Sequence, residues 1–132
     1  MNEPAPPDAL GRNGAIAIAL GRVGIGIGAF ALTRPALDVL GFDRDDGATV
    51  ALARLAGVRD IALGLHALAL RDDRARLREA SAIAAVVDAG DAFAFAAALA
   101  RRDGIDGTAL RNLPIAASAV IAGAWVTRRL RS

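Results

Sequence analysis

Arg54-Leu55-Ala56-Gly57-Val58-Arg59-Asp60-Ile61-Ala62-Leu63-Gly64-Leu65-His66 is the stretch whose reading decides the fold. It sets two arginines, an aspartate and a histidine inside an otherwise apolar run, residues 48–70. Downstream, Asp88-Ala89-Gly90-Asp91 interrupts a second apolar run, residues 80–100. Charges in such surroundings are costly unless they meet opposite charges. The two islands are therefore expected to face one another in a single buried polar cluster.

Working outward, the composition says what surrounds that cluster. Hydrophobic residues make up 55% of the 132 and aromatic residues only 4%, so the apolar content is chiefly Ala, Leu, Ile, Val and Gly. Small residues let helices approach closely, as helix interfaces in lipid require. A mean hydropathy of +0.40 alongside 23% charged residues means that charge and apolarity are segregated along the chain.

Four apolar segments follow from this segregation, at about residues 14–33, 48–70, 79–100 and 108–128. Each approaches the roughly 20 residues that cross a bilayer core. The expected fold is all-α: a four-helix transmembrane bundle forming one domain over residues 14–130. Residues 1–13, with an acidic and proline-rich opening, are expected to be a disordered lead. Their character does not fit the positive n-region of a signal peptide. Ala29-Phe30-Ala31 imitates a cleavage site without that context.

In the first segment, Ala17, Gly21, Gly24 and Gly28 form a stripe of small residues, expected to be the close-packing face and a route to a homo-oligomer. Arg22 is expected to point away from that stripe. Residues 34–47 carry a proline, two glycines and Asp43, Asp45 and Asp46; they read as a polar turn with a short interfacial segment. In the second segment Gly57, Asp60, Gly64 and Ala67 share a face, so Asp60 is expected to look into the tightest part of the bundle. Arg54 lies near the start, where its stem can snorkel to the interface. Asp88 and Asp91, three apart, stand about 5–6 Å from each other at Cβ on one helix face. In the last segment Pro114 is read as close to the helix start, where a missing N–H is tolerated, and Trp125 as lying at headgroup level.

Four spans put both termini and the 71–78 connection on one side. Arg12, Arg71, Arg74, Arg76, Arg78, Arg128, Arg129 and Arg131 lie there, against Arg34, Arg44, Arg101, Arg102 and Arg111 opposite. The positive-inside rule then makes that side cytoplasmic, in a bacterial inner membrane.

Several function classes are excluded. All 16 basic residues are Arg, as GC-rich coding favours, the net charge is only +2, and no aromatic residues interleave with the arginines. Nucleic acid is therefore not an expected partner; the bilayer is. Without cysteine, and with His66 as the one histidine, disulfides and thiolate or multi-histidine metal sites are ruled out. No cofactor is implied.

The cluster itself is expected to carry any function. An Asp or Arg at a helix centre costs about 2.5–3.5 kcal/mol to insert, and intramembrane ionisable residues mark substrate, ion or proton paths. Arg22, Arg54 and Arg59 balance Asp60, Asp88 and Asp91 in number. The expected pairing sets Arg59 and Arg22 against Asp88 and Asp91, with Asp60 meeting Arg22 or Arg54. Adjacent carboxylates that share a proton would be an acid/base pair for a lipophilic substrate, as in isomerisation, cyclisation or epoxide opening. On that view Asp88, Asp91 and Asp60 are catalytic, while Arg59, Arg22, His66 and Arg54 line a cavity for a small lipophilic or anionic ligand. Two alternatives stand beside it: a non-catalytic membrane subunit with a structural ion-pair network, and a dimeric proton-coupled transporter.

The patterns R-x-x-G-x-R-D-x-x-L-G, from Arg54 to Gly64, and D-A-G-D, from Asp88 to Asp91, resemble an uncharacterised family of small bacterial and fungal integral membrane proteins with four helices. More loosely, the layout is similar to DoxX-type membrane proteins. The resemblance implies the fold and the membrane location, with Arg54, Gly57, Arg59, Asp60, Gly64, Asp88 and Asp91 as signature positions. It implies no activity.

Overall fold

A computed structural model gives the fold and describes residues 7–131. Those residues are all-α, with five helices: α1 Pro7–Ala31, α2 Thr33–Leu40, α3 Gly47–Ala69, α4 Arg74–Arg101 and α5 Asp106–Arg129. Four long helices cover the four expected apolar segments, but the count is five and not four. The extra helix, α2, falls at the start of the 34–47 connection. Residues 1–6 of the expected disordered lead lie outside the described residues, but the helix begins at Pro7 and not at residue 14. Proline at a first helical position costs nothing, because its absent N–H has no partner to lose.

Pro35 explains why α1 and α2 are separate. Continuing α1 would drive its ring into the carbonyl of Ala31, four residues back, and Ala31 is where α1 ends. Gly41 then stops α2 in the left-handed conformation, φ 78°. The carbonyls at the end of α2 are taken up by α5: Arg111 donates to Val39 at 3.0 Å and Asn112 to Leu40 at 2.8 Å, and Thr108 donates to Gly41. Asn112 is 5% exposed, so a buried amide locks α2 down. Asp46 caps α3 by accepting from the Thr49 N–H, and Asp73 caps α4 by accepting from Arg76. Pro114 falls well inside α5 rather than in its first turn, which leaves the exposed Leu110 carbonyl without its helical donor.

Helix α1 packs along α3, and α4 packs along α5. The faces that meet are made of small residues. A Cβ placed on Gly26 would lie 2.5 Å from the Gly57 carbonyl oxygen, and one on Gly64 would lie 2.6 Å from that of Ala19. On the other pair, a Cβ on Gly123 would lie 2.9 Å from that of Ala85. Ala15, Ala19, Ala67, Leu77, Ala80, Val126 and Leu130 form the apolar core where α1, the α3–α4 hairpin and the end of α5 converge.

This corrects the expected packing face of α1. Gly11, Ala15, Ala19 and Gly26 are buried and Arg22 is largely so. That stripe advances by 4, 4, 3 and 4 residues, the helical period. A Cβ on Gly21, Gly24 or Gly28 would meet nothing within 4 Å, and these glycines look outward with Ala17. The charge decided between two stripes of small residues. Turning Gly21, Gly24 and Gly28 inward would have carried Arg22 away from its carboxylates.

Helices α1 (as Ala9–Ala31), α4 and α5 are long and apolar enough to cross a membrane. Helix α3 has the length, at 23 residues, but every 18-residue window within it holds Arg54, Arg59 and Asp60. Its polar content has to be answered inside the bundle.

Candidate functional site

That answer lies midway along the helices. Arg22 of α1 donates to Asp60 of α3 at 3.1 Å and to Asp88 of α4. Arg59 of α3 donates to both carboxylate oxygens of Asp91 on α4, at 2.9 and 2.7 Å, and reaches Asp60 at 3.5 Å. The pairing expected from the sequence is thus present, with Asp60 taking Arg22. The contacts run in one line: Asp91, Arg59, Asp60, Arg22, Asp88. Charges alternate along it, and an acid stands at each end.

Local sequence explains why these side chains converge. Gly57 and Gly64 bracket Asp60 at spacings of three and four, so α3 closes on α1 above and below the carboxylate. Arg22 sits at the same depth on the facing stripe of α1. The spacing of Asp88 and Asp91 presents both acids of α4 toward the α1–α3 pair, one for each arginine. A bidentate guanidinium–carboxylate fork fixes geometry as well as charge, so the Arg59–Asp91 pair sets how α3 and α4 sit against each other.

Burial grades along the line. The side chains of Asp88 and Arg22 are 9% and 11% exposed, that of Asp60 is 18%, and those of Arg59 and Asp91 are 37% each. One end is interior; the other opens on the edge between α3 and α4. The Nε groups of Arg22 and Arg59 are buried without a hydrogen-bond partner in the protein. Beside Arg22 and Asp88, next to Ser81 and Gly123, lies a space of about 20 Å³. That is room for a water molecule, not for a lipophilic ligand of any size.

Two expected members stand apart. Arg54 donates through Nε to the Thr33 hydroxyl at 3.3 Å, and so ties α3 to the start of α2. His66 is exposed near the end of α3, and no hydrogen bond joins it to the line. The physical reason is helical phase combined with distance. Arg54 is more than a turn from Asp60, with a nearer acceptor in Thr33, while His66 falls outside the α1 contact that Gly64 and Ala67 occupy. The expected balance of three arginines and three aspartates therefore becomes two against three within the network.

Thr33 and Asn112 are the polar residues that sequence inspection passed over. Both are buried, at 4% and 5% exposure. Thr33 donates its hydroxyl to Phe30 and receives Arg54. A lone amide inside an apolar helix was the available signal for Asn112. Among the described residues no group of His, Cys, Asp and Glu side chains is arranged to hold a metal ion. No protein-family model matches the chain, and neither a curated protein nor a solved structure is found to be similar to it.

Proposed function

We propose that this is an integral membrane protein that crosses the bilayer four times, through α1, α3, α4 and α5, with both termini cytoplasmic. Its alternating Asp91–Arg59–Asp60–Arg22–Asp88 line then holds an exchangeable proton and works as an acid/base site. The observation that carries this reading is the line itself, two guanidinium groups among three carboxylates. With all five ionised, one negative charge is left over in an apolar setting, where an uncompensated charge is costly. One proton removes the excess. Guanidinium groups do not give theirs up, so the proton resides on a carboxylate of the line.

The half-exposed Arg59–Asp91 edge supplies access. A small lipophilic or anionic ligand would approach there, since the space beside Asp88 holds no more than a water. The arginine excess at the end shared by the termini and the α3–α4 turn supports the orientation, and the R-x-x-G-x-R-D-x-x-L-G and D-A-G-D patterns support membership of the small four-helix membrane family. The outward Gly21, Gly24 and Gly28 stripe supports a homo-oligomer, through which a proton-coupled transporter could be completed.

Infrared difference spectroscopy of the protein in vesicles tests the proton. A protonated carboxyl stretch near neutral pH, shifted in heavy water and lost in Asp88→Asn or Asp91→Asn, is the expected result. A spectrum with ionised carboxylates only would end the acid/base proposal. It would leave the second reading, a non-catalytic subunit whose network fixes helix register, which the small space of about 20 Å³ beside Asp88 favours.

A further inference from the structure

A larger space lies away from that line. At the end where the start of α1, the α3–α4 turn and the end of α5 meet, a pocket of about 210 Å³ is lined by Arg12, Arg71, Asp72, Arg74, Leu77 and Leu130. Arg12, Arg71 and Arg74 bring three guanidinium groups to the lining beside the Asp72 carboxylate. Leu77 and Leu130 belong to the buried core and give the pocket an apolar floor. Low polarity on one side strengthens the field of the arginines on the other.

The arginines are held in place by the ends of the helices. Arg71 donates to the Leu68 carbonyl at 3.1 Å and Arg74 to the Leu130 carbonyl at 3.1 Å. Two of the carbonyls that would make this end negative are thereby occupied. Arg12 bridges the turn, donating to the Arg71 carbonyl at 3.0 Å and to Asp72 at 2.8 Å. These bonds use two of the five N–H donors of Arg12 and one of those of Arg71. Arg71 Nε also stands 3.7 Å from the Asp72 carboxylate, and the remaining donors of the two exposed arginines can turn to a ligand.

We propose that this pocket binds the phosphate of an anionic phospholipid headgroup. The inference rests on the membrane-spanning reading given above, which sets this end at headgroup depth. Paired guanidinium forks match a phosphate's oxygens, and the volume accommodates a phosphate with part of its glycerol. Basic pockets between helices at the cytoplasmic face bind such headgroups. The Arg129 guanidinium lies 5.6 Å from the centre of the Trp125 ring, and an interfacial tryptophan marks the same level.

Native mass spectrometry of the full-length protein tests the assignment, after extraction from vesicles of phosphatidylcholine with phosphatidylglycerol. Retained phosphatidylglycerol is expected, and its retention should fall about fivefold in Arg12→Gln and again in Arg71→Gln, from the usual contribution of one basic residue at an anionic surface. Arg102→Gln removes the same charge at the opposite end and should change nothing. A second arm adds inorganic phosphate to the protein in phosphatidylcholine alone. Protection against heat by phosphate, lost in Arg12→Gln, would keep the phosphate chemistry and overturn the lipid as its source. Equal phosphatidylglycerol retention in all variants would overturn the pocket altogether. Release of the protein from membranes by alkaline carbonate would instead show that the membrane reading had failed. Helix content by circular dichroism separates a misfolded variant from a lipid-free one, and Arg71→Gln, which gives up only a turn contact, keeps the test open should Arg12→Gln misfold.

Discussion

The middle of the bundle and its ends use the same side chains under opposite rules. At mid-depth, Arg22 is 11% exposed and is shared by two carboxylates on two other helices. At the ends, Arg44 meets Asp38 at 3.2 Å and Arg34 meets Asp45 at 3.4 Å, with every partner more than half exposed. Exposed pairs of this kind contribute about 0–1 kcal/mol. A buried pair that loses one partner leaves a stranded charge, at a cost of about 3–5 kcal/mol. Position, not residue type, sets the energy. Substitutions from the centre outward should therefore decline in effect.

The largest effect is expected for Arg22→Leu, which strands Asp88 and leaves Asp60 only its 3.5 Å contact with Arg59. Detergent-denaturant titration followed by helix circular dichroism should show a loss of about 3–5 kcal/mol. Adding Asp88→Asn should return part of that loss, because it removes the stranded charge. A loss no greater than that of Arg44→Gln would mean that the centre is as forgiving as the ends, and the contrast would collapse.

Next come the glycines of α1. Gly26→Ala places a methyl against the Gly57 carbonyl, where backbone must move, and overpacking of this sort costs about 1–3 kcal/mol. Gly24→Ala, two residues earlier, meets nothing and should raise the stability of the isolated bundle by about 0.5–1 kcal/mol, the helix preference of Ala over Gly. The same pair tests the proposed oligomer: Gly24→Ile should lower the oligomeric state seen by crosslinking in vesicles if the outward stripe is an interface, and leave it unaltered if it is not. The two substitutions should differ in sign of consequence as well as in size.

What the sequence made legible follows the same division. The line of ion pairs could be read because charges in apolar helices have so few places to go. Arg22, Arg59, Asp60, Asp88 and Asp91 paired as expected. The stripe of small residues could not be assigned, because α1 has two of them and composition does not choose. Phase relative to Arg22 would have chosen. Arg54 was misassigned through a missed acceptor: Thr33 becomes one only because Pro35 breaks the chain there and turns α2 back over the start of α3. The ligand cavity expected around the network was never a property of sequence. Its size depends on how closely Gly57 and Gly64 let α3 approach α1.

A middle case is Arg59→Gln. The pair with Asp91 is bidentate, but both side chains are 37% exposed, so its loss should fall well short of that for Arg22→Leu. The same titration should rank it between Arg22→Leu and Arg44→Gln. A loss equal to that of Arg22→Leu would mean that the edge between α3 and α4 is covered, by lipid tails or by a second copy, and is no access route for a ligand.

The smallest effect should come from Asp46, at the exposed start of α3. Its carboxylate accepts from both the hydroxyl and the N–H of Thr49, at 2.6 and 2.7 Å. Those bonds, the hydroxyl's first, hold its pKa below the usual carboxylate value. A group whose pKa is lower when folded stabilises the fold in its ionised form. Its contribution is therefore complete above the unfolded value, about 3.9, and is lost as pH falls through the lower folded value. Asn caps a helix about as well as Asp but does not titrate. Asp46→Asn should then match the parent at neutral pH and lose less of its thermal midpoint as the solution is acidified below about pH 4. If the two proteins keep parallel midpoints through that window, the Asp46–Thr49 bonds do not select the ionised form. The ends of the bundle would then be indifferent to charge even where a cap is at stake, and the gap between middle and ends would be wider than the exposed ion pairs alone imply.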